Sequence, residues 1–264
     1  MVVPMFQVDA FATKLFEGNP AAVVCLKEFP PDGVMQQIAA ENNLAETAFL
    51  VHDGQQYWLR WFTPKIEVPL CGHATLATAA VVMERLELGR GYIVFHTRSG
   101  ELKVSKTEKG YLMSLPARES KPISPPEGLG SALGSVPLEV LSNEFNYMVV
   151  VSNPMTVRDL TPDLSLIAQL DRPGMIVTSP GDGEYDFISR YFAPAKGIPE
   201  DPVTGGAHCM LVPYWAKKLK KSEFNAYQAS PRGGKVGCRM IGDRVELQGE
   251  CVFYLEGSIH VVNN

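Results

Sequence analysis

Three short segments of this chain could carry acid, thiol or imidazole chemistry at helix boundaries: Asn42–Phe49, Pro69–Thr75 and Glu200–His208. Glu46, in Asn43-Leu44-Ala45-Glu46-Thr47-Ala48-Phe49, stands where a helix should give way to an apolar strand. Such a boundary tends to bury a side chain in part. Burial raises a carboxyl pKa toward the range useful for general acid/base work. Most glutamates are exposed, so a surface or helix-end role is the plain competing reading of this segment alone. His73 directly follows Gly72. An imidazole at a helix N-terminus tends to stay neutral, and can then donate or accept one hydrogen bond. Asp201 precedes a second turn, where it can bond nearby backbone N–H groups. That role and a catalytic one are compatible.

The two turns themselves are Leu70-Cys71-Gly72-His73 and Val203-Thr204-Gly205-Gly206. Amides at a helix start have no intrahelical acceptor, and the helix dipole favours an anion in front of them. A glycine that merely permits a tight turn explains either segment taken singly. The matched pair points to a clamp for a small carboxylate-bearing molecule.

These residues need a scaffold. Apolar alternation predicts strands at Met5–Phe11, Ala21–Leu26, Thr47–Val51, Gln56–Phe62, Ile93–Thr97, Glu101–Lys106 and Tyr111–Leu115. Gly18-Asn19-Pro20 predicts a turn between the first two. Asp32–Asn43 reads as a helix, with Val34, Ile38 and Ala39 on one face. Ala74–Leu86 is apolar almost all round, the pattern of a buried helix. The Pro-, Ser- and Gly-rich stretch Pro116–Ser135 reads as a linker.

Beyond it the chain replays itself. Phe62-Thr63-Pro64 leads to Glu67-Val68-Pro69-Leu70-Cys71-Gly72, and Phe192-Ala193-Pro194 leads to Glu200-Asp201-Pro202-Val203-Thr204-Gly205. Glu200 lies 133 residues after Glu67, and Arg232-Gly233-Gly234 begins 134 after Arg98-Ser99-Gly100. A helix follows each turn, the second at Ala207–Leu219. Self-similarity at one offset marks a duplicated unit, hence two similar lobes, with a ligand site expected where they meet.

Composition removes other classes. With 264 residues, 45% hydrophobic and 20% charged, the chain should be globular and ordered. A net charge of −5 supplies no basic footprint for nucleic acid. The cluster Lys217, Lys218, Lys220 and Lys221 reads as a solvated helix C-terminus. The five cysteines are odd in number and lack zinc-ligand spacing. No signal peptide or bilayer-length apolar run is evident, so a cytoplasmic location is expected. There is no metal motif, dinucleotide fingerprint or phosphate loop, and no metal or cofactor is expected.

Taken together, Asn43–Phe49, Val68–Thr75, Glu200–Gly205, Gly18-Asn19-Pro20-Ala21-Ala22-Val23 and Arg190-Tyr191-Phe192-Ala193-Pro194 closely resemble the signature segments of the PhzF-like family, in the family's order along essentially the whole chain. The likeness is greatest to the eukaryotic-type, phenazine biosynthesis-like domain-containing members. The resemblance implies an α+β, diaminopimelate epimerase-like fold. That fold has two pseudo-symmetric lobes, 1–118 and 119–264, each a mostly antiparallel barrel-like sheet around a central helix, with a cleft between them. The last strand could return to the first lobe. The resemblance also implies a homodimer. It assigns Glu46, His73 and Asp201 as catalytic, and Asn19, Gly72, Thr204, Gly205 and Gly206 as substrate-binding. Many members carry serine where this chain has Gly206, which puts the phenazine-pathway substrate in doubt.

The expected activity is a cofactor-independent isomerisation in which Glu46 shifts a proton on a small, cyclic or conjugated carboxylate. A catalytically idle binding or regulatory protein on the same fold is the main alternative. Two-thiol epimerase chemistry, which on this fold uses one cysteine from each lobe, is disfavoured, because Cys71 occupies the first position but Thr204 the second, and a threonine hydroxyl is too weak an acid to replace a thiol.

Overall fold

A computed structural model of the chain describes residues 2–261. The chain divides into two compact units, Met1–Ser114 with Gln248–Asn264, and Leu115–Leu247. No helix among the described residues is long and apolar enough to cross a membrane.

The first unit opens with β1 (Val2–Ala10) and β2 (Asn19–Leu26), followed by α1 (Asp32–Asn42), β3 (Glu46–His52), β4 (Tyr57–Phe62) and the short β5 (Glu67–Val68). Helix α2 (Gly72–Val81) follows, then β6 (Tyr92–Thr97), β7 (Gly100–Thr107) and β8 (Gly110–Pro116). β1 lies antiparallel to β2 and to the C-terminal strand Cys251–His260. β2 and β3 are parallel, β3 and β4 antiparallel, and β4 pairs with both β5 and, in parallel, β6. All residues from His73 to Val81 are buried. The helix packs against β1, β2, β3, β7 and the C-terminal strand, which accounts for its lack of a polar face. The apolar run continues past Val81, but Val82–Leu86 widens into a π turn closed by the Glu87 N–H on the Val82 carbonyl.

The second unit contains β9 (Lys121–Pro122), α3 (Leu129–Leu133), β10 (Glu139–Ser142), β11 (Asn146–Val150), α4 (Pro154–Arg158), α5 (Leu164–Ile167), β12 (Gly174–Pro180), β13 (Phe187–Ala193) and β14 (Ile198–Asp201). It continues with α6 (Gly205–Leu219), β15 (Glu223–Gln228) and β16 (Gly234–Ile241). The stretch expected to be a bare linker thus carries a strand and a helix. Leu129, Ala132 and Leu133 are one turn apart and all buried, enough to dock a single helical turn despite the surrounding prolines and glycines.

Strand for strand, the pairing repeats. β11 and β12 are parallel, β12 and β13 antiparallel, β13 and β14 antiparallel, β13 and β15 parallel, and β15 and β16 antiparallel. The first unit shows the same sequence of pairings from β2 to β7. Conserved packing chemistry accompanies it. Arg60 donates a two-pronged bond to Glu67 at 2.8 Å on each prong, and Arg190 does so to Glu200 at 2.7 and 2.8 Å. Each guanidinium also lies over the phenylalanine two residues on, Phe62 at 5.2 Å and Phe192 at 5.0 Å.

Helix α6 is buried from Ala207 to Trp215 and contains Pro213. Proline has no N–H, so the carbonyl four residues earlier loses its helical partner. That carbonyl, on Cys209, accepts the N–H of Arg118 at 2.8 Å instead.

Candidate active site

Glu46 is delivered by the end of α1. Asn43 takes the left-handed conformation, φ 48°, with its N–H on the Ala39 carbonyl, a common helix stop. Asn42 Nδ2 then donates to Thr47 Oγ1 at 3.1 Å, tying the helix end to the strand start. Glu46 begins β3 opposite Ala21 and is only 8% exposed.

Asn19 is delivered by the β1–β2 turn. Gly18 has φ +65°, and a Cβ there would lie 2.2 Å from the Ala10 carbonyl oxygen. Only glycine fits that geometry, and it brings Asn19 into register with Ala10. His73 sits in the first turn of α2. Cys71 precedes it in extended conformation, and its carbonyl accepts both the N–H and the hydroxyl of Thr75, at 3.2 and 2.6 Å.

These elements converge on one imidazole. His73 Nε2 is 3.2 Å from Glu46 Oε2. Although within ion-pair reach, the two atoms are not aligned as a hydrogen bond. Catalytic contacts are often loosely aligned before substrate binds. On the other side of the ring, Nδ1 is 3.1 Å from Asn19 Nδ2 and 3.5 Å from Cys71 Sγ. Desolvation pushes the His73 pKa down to about 3, so the ring is neutral near pH 7 and its contact with Glu46 is not an ion pair of two full charges. Asn19, expected among the substrate contacts, is fully buried with its amide against His73. Cys71 has its thiol on the same ring nitrogen.

Glu46, Cys71 and His73 have donor atoms within 4.8 Å of one another, and their types suit zinc. Yet the thiol lies on the Nδ1 side of the imidazole and the carboxylate on the Nε2 side. An ion held by one ring nitrogen would reach only one of them without rearrangement.

The second unit gathers Asp201, Thr204, Gly205 and Gly206 at the start of α6. Thr204 Oγ1 donates to Asp201 Oδ2 at 2.5 Å. Gln228, fully buried, accepts the Thr204 N–H at 2.9 Å and donates to the Asp201 carbonyl at 2.7 Å. The sequence reading passed over Gln228. The signal was available: Phe224, Ala226 and Gln228 share the buried face of β15, and a buried amide must find partners. His208 Nδ1 lies 2.9 Å from the Thr204 carbonyl. Burial lowers its pKa to about 4. A Cβ on Gly206 would meet nothing within 4 Å, so packing does not exclude a serine there.

Known proteins share the chain's sequence and fold. The phenazine biosynthesis-like protein family (PhzC-PhzF) matches residues 8–257. An uncharacterized isomerase of Pseudomonas aeruginosa is 45% identical over 261 residues, covering 99% of this chain and all of the relative. The phenazine biosynthesis-like domain-containing protein of Bos taurus is 38% identical over 286 residues, covering 98% and 99%. The bacterial relative is thus the more similar of the two, although the signature segments suggested the eukaryotic type. A crystal structure of a PhzF family protein from Enterococcus faecalis superposes with a TM-score of 0.94 at 43% identity, covering 98% of this chain and all of the other. A hydroxyproline epimerase from Agrobacterium vitis, 11% identical with a TM-score of 0.62 over all of this chain and 93% of its own, shares the fold alone. The architecture is therefore α+β and diaminopimelate epimerase-like, and the chain belongs to the PhzC-PhzF family of phenazine biosynthesis-like proteins as an isomerase.

Proposed function

We propose that this isomerase shifts a proton between two carbons of a small, cyclic or conjugated carboxylate, with Glu46 as the shuttling base and acid. The carboxylate of Glu46 takes a C–H proton, leaving the electron pair delocalised over the conjugated system. The resulting carboxylic acid returns a proton to another carbon of the same molecule. Substrate and product are isomers, so no oxidant, reductant or second substrate enters. His73 orients Glu46. The amides that open α2, at Gly72 and His73, bind the substrate carboxylate. Fixed amide dipoles stabilise charge without reorganising.

The observation that carries this reading is a nearly buried carboxylate held 3.2 Å from a neutral imidazole. The relatives named isomerases support it. The test is deuterium uptake. A panel of small cyclic and conjugated carboxylates is incubated with the protein in heavy water and read by NMR. A carbon-bound position should exchange, and Glu46→Gln should slow that exchange by about 10²–10⁴-fold, the usual share of general acid/base catalysis. Exchange by Glu46→Gln at the rate of the parent protein would overturn the reading.

A further inference from the structure

We infer that Asn19 is a positioning residue that fixes the tautomer of His73, so that the ring presents Nε2–H to Glu46. The inference deepens the proposed function and rests on it for its catalytic consequence. The tautomer itself does not depend on it.

The argument starts from what each atom can do. A side-chain amide nitrogen only donates. Asn19 Nδ2 lies 3.1 Å from His73 Nδ1, so with the amide in this orientation Nδ1 is the accepting, unprotonated nitrogen. The Cys71 thiol, 3.5 Å away, is also on Nδ1, and a thiol is a weak donor. The amide donor and a thiol able to donate meet at one ring nitrogen. In a neutral imidazole the single proton must then sit on Nε2, which lies 3.2 Å from Glu46 Oε2. A small ring rotation makes that approach a hydrogen bond to the carboxylate. The carboxylate is then held through Oε2. The opposite tautomer would set the Nε2 lone pair against a carboxylate oxygen, which repels it and loosens the base.

The same chain supplies an internal reference. His208 Nδ1 lies 2.9 Å from the carbonyl of Thr204. A carbonyl only accepts, so His208 carries its proton on Nδ1. Both rings are buried and neutral, with opposite tautomers set by what faces Nδ1. The neighbour facing Nδ1 is what differs, since burial alone favours neither nitrogen.

The experiment is nitrogen-15 NMR of protein labelled at histidine, with assignments from His73→Gln and His208→Gln. In the parent protein at neutral pH, His73 should show its proton on Nε2 and His208 on Nδ1. Asn19→Asp replaces a donor by an acceptor, and should move the His73 proton to Nδ1 while leaving His208 unchanged. The same variant should slow deuterium uptake on the order of 10²-fold or more, mainly in kcat. A parent His73 protonated on Nδ1 overturns the inference, and this spectrum needs no variant to fold. A tautomer that moves without any change in exchange rate overturns the positioning role. If no carboxylate exchanges in any form of the protein, the proposed function fails, and the parent spectrum still decides the tautomer.

Discussion

At the start of α2 the Cys71 carbonyl accepts the hydroxyl of Thr75, and 133 residues later the Thr204 carbonyl accepts the ring of His208. The two positions are equivalent in the repeat, and each side chain reaches back to the same place, the carbonyl four residues earlier. What surrounds the two turns differs. The first holds a carboxylate, an imidazole and a thiol around a contact left loose. In the second, Asp201, Thr204 and Gln228 satisfy one another. Duplication preserved the backbone work of opening a helix, and side-chain chemistry diverged on top of it. The looser turn is the one suited to moving a proton, because a group already saturated with hydrogen bonds has little freedom to change its protonation state.

The largest test of that comparison lies in the two arginine forks. Arg190 bonds Glu200 and also donates to the Leu160 carbonyl at 2.6 Å. Arg60 holds Glu67, but Arg98 also pairs with Glu67. Arg190→Met should therefore cost about 3–5 kcal/mol, the cost of stranding a buried charge. Arg60→Met should cost less, because Glu67 keeps a cation. Urea unfolding midpoints decide the order, and equal losses would mean that the forks are interchangeable. Next comes Gln228→Leu, which strips the Thr204 N–H and the Asp201 carbonyl of their shared partner. A loss of about 2 kcal/mol is expected in the same assay, with the His73 tautomer unmoved. A shifted His73 resonance pattern would refute the separation drawn between the two turns.

Much of this was legible in the chain itself. The offset between Glu67 and Glu200 exposed the duplication, because both glutamates must hold an arginine in the same fork. All-round apolarity announced α2 as a buried helix. Segments whose structure depends on remote partners were less readable. Val82 and Met83 extend the apolar run before Glu84 and Arg85 end it, and nothing local marks the π turn. Lys121 and Pro122 become a strand only because Leu141 and Ser142 lie alongside. Around the candidate site, Glu46 and His73 stood out through residue type and boundary position. Asn19 was singled out only as a substrate contact and Cys71 only as part of a turn, since their contact with one ring nitrogen spans 54 residues of sequence in one case and two in the other. Sequence shows which groups are present; it does not show which atom of an imidazole each one faces.

A smaller effect separates the turns by acid. His73 and His208 have pKa values lowered to about 3 and about 4 from 6.5, both by desolvation. Below pH 6.5 the unfolded chain binds protons that the folded chain refuses. The stability these groups allow is complete above that value and is lost as pH falls toward 4 and 3. Each histidine contributes a slope of at most about 1.4 kcal/mol per pH unit. His208→Thr copies the residue of the first turn and should lower that slope by one histidine's share, whatever it does to absolute stability. Urea unfolding from pH 7 to pH 4.5 measures it. An unchanged slope would show that His208 takes up its proton while folded.

The smallest expected effect concerns Gly206, the residue in this repeat that corresponds to His73. Nothing lies within 4 Å of a Cβ there, and its φ is not in the left-handed region. Glycine is therefore not required by the backbone. Gly206→Ser replaces a poor helix residue by a better one near the first turn of α6, so stability should change by no more than about 0.5 kcal/mol. Any change in deuterium uptake can then be assigned to the hydroxyl and not to a distorted turn. If the second turn binds substrate through amides alone, the serine should alter the preference among carboxylates and leave exchange of the best substrate within about tenfold. A serine variant that loses exchange altogether while remaining as stable as its parent would show that open space at position 206 belongs to the substrate.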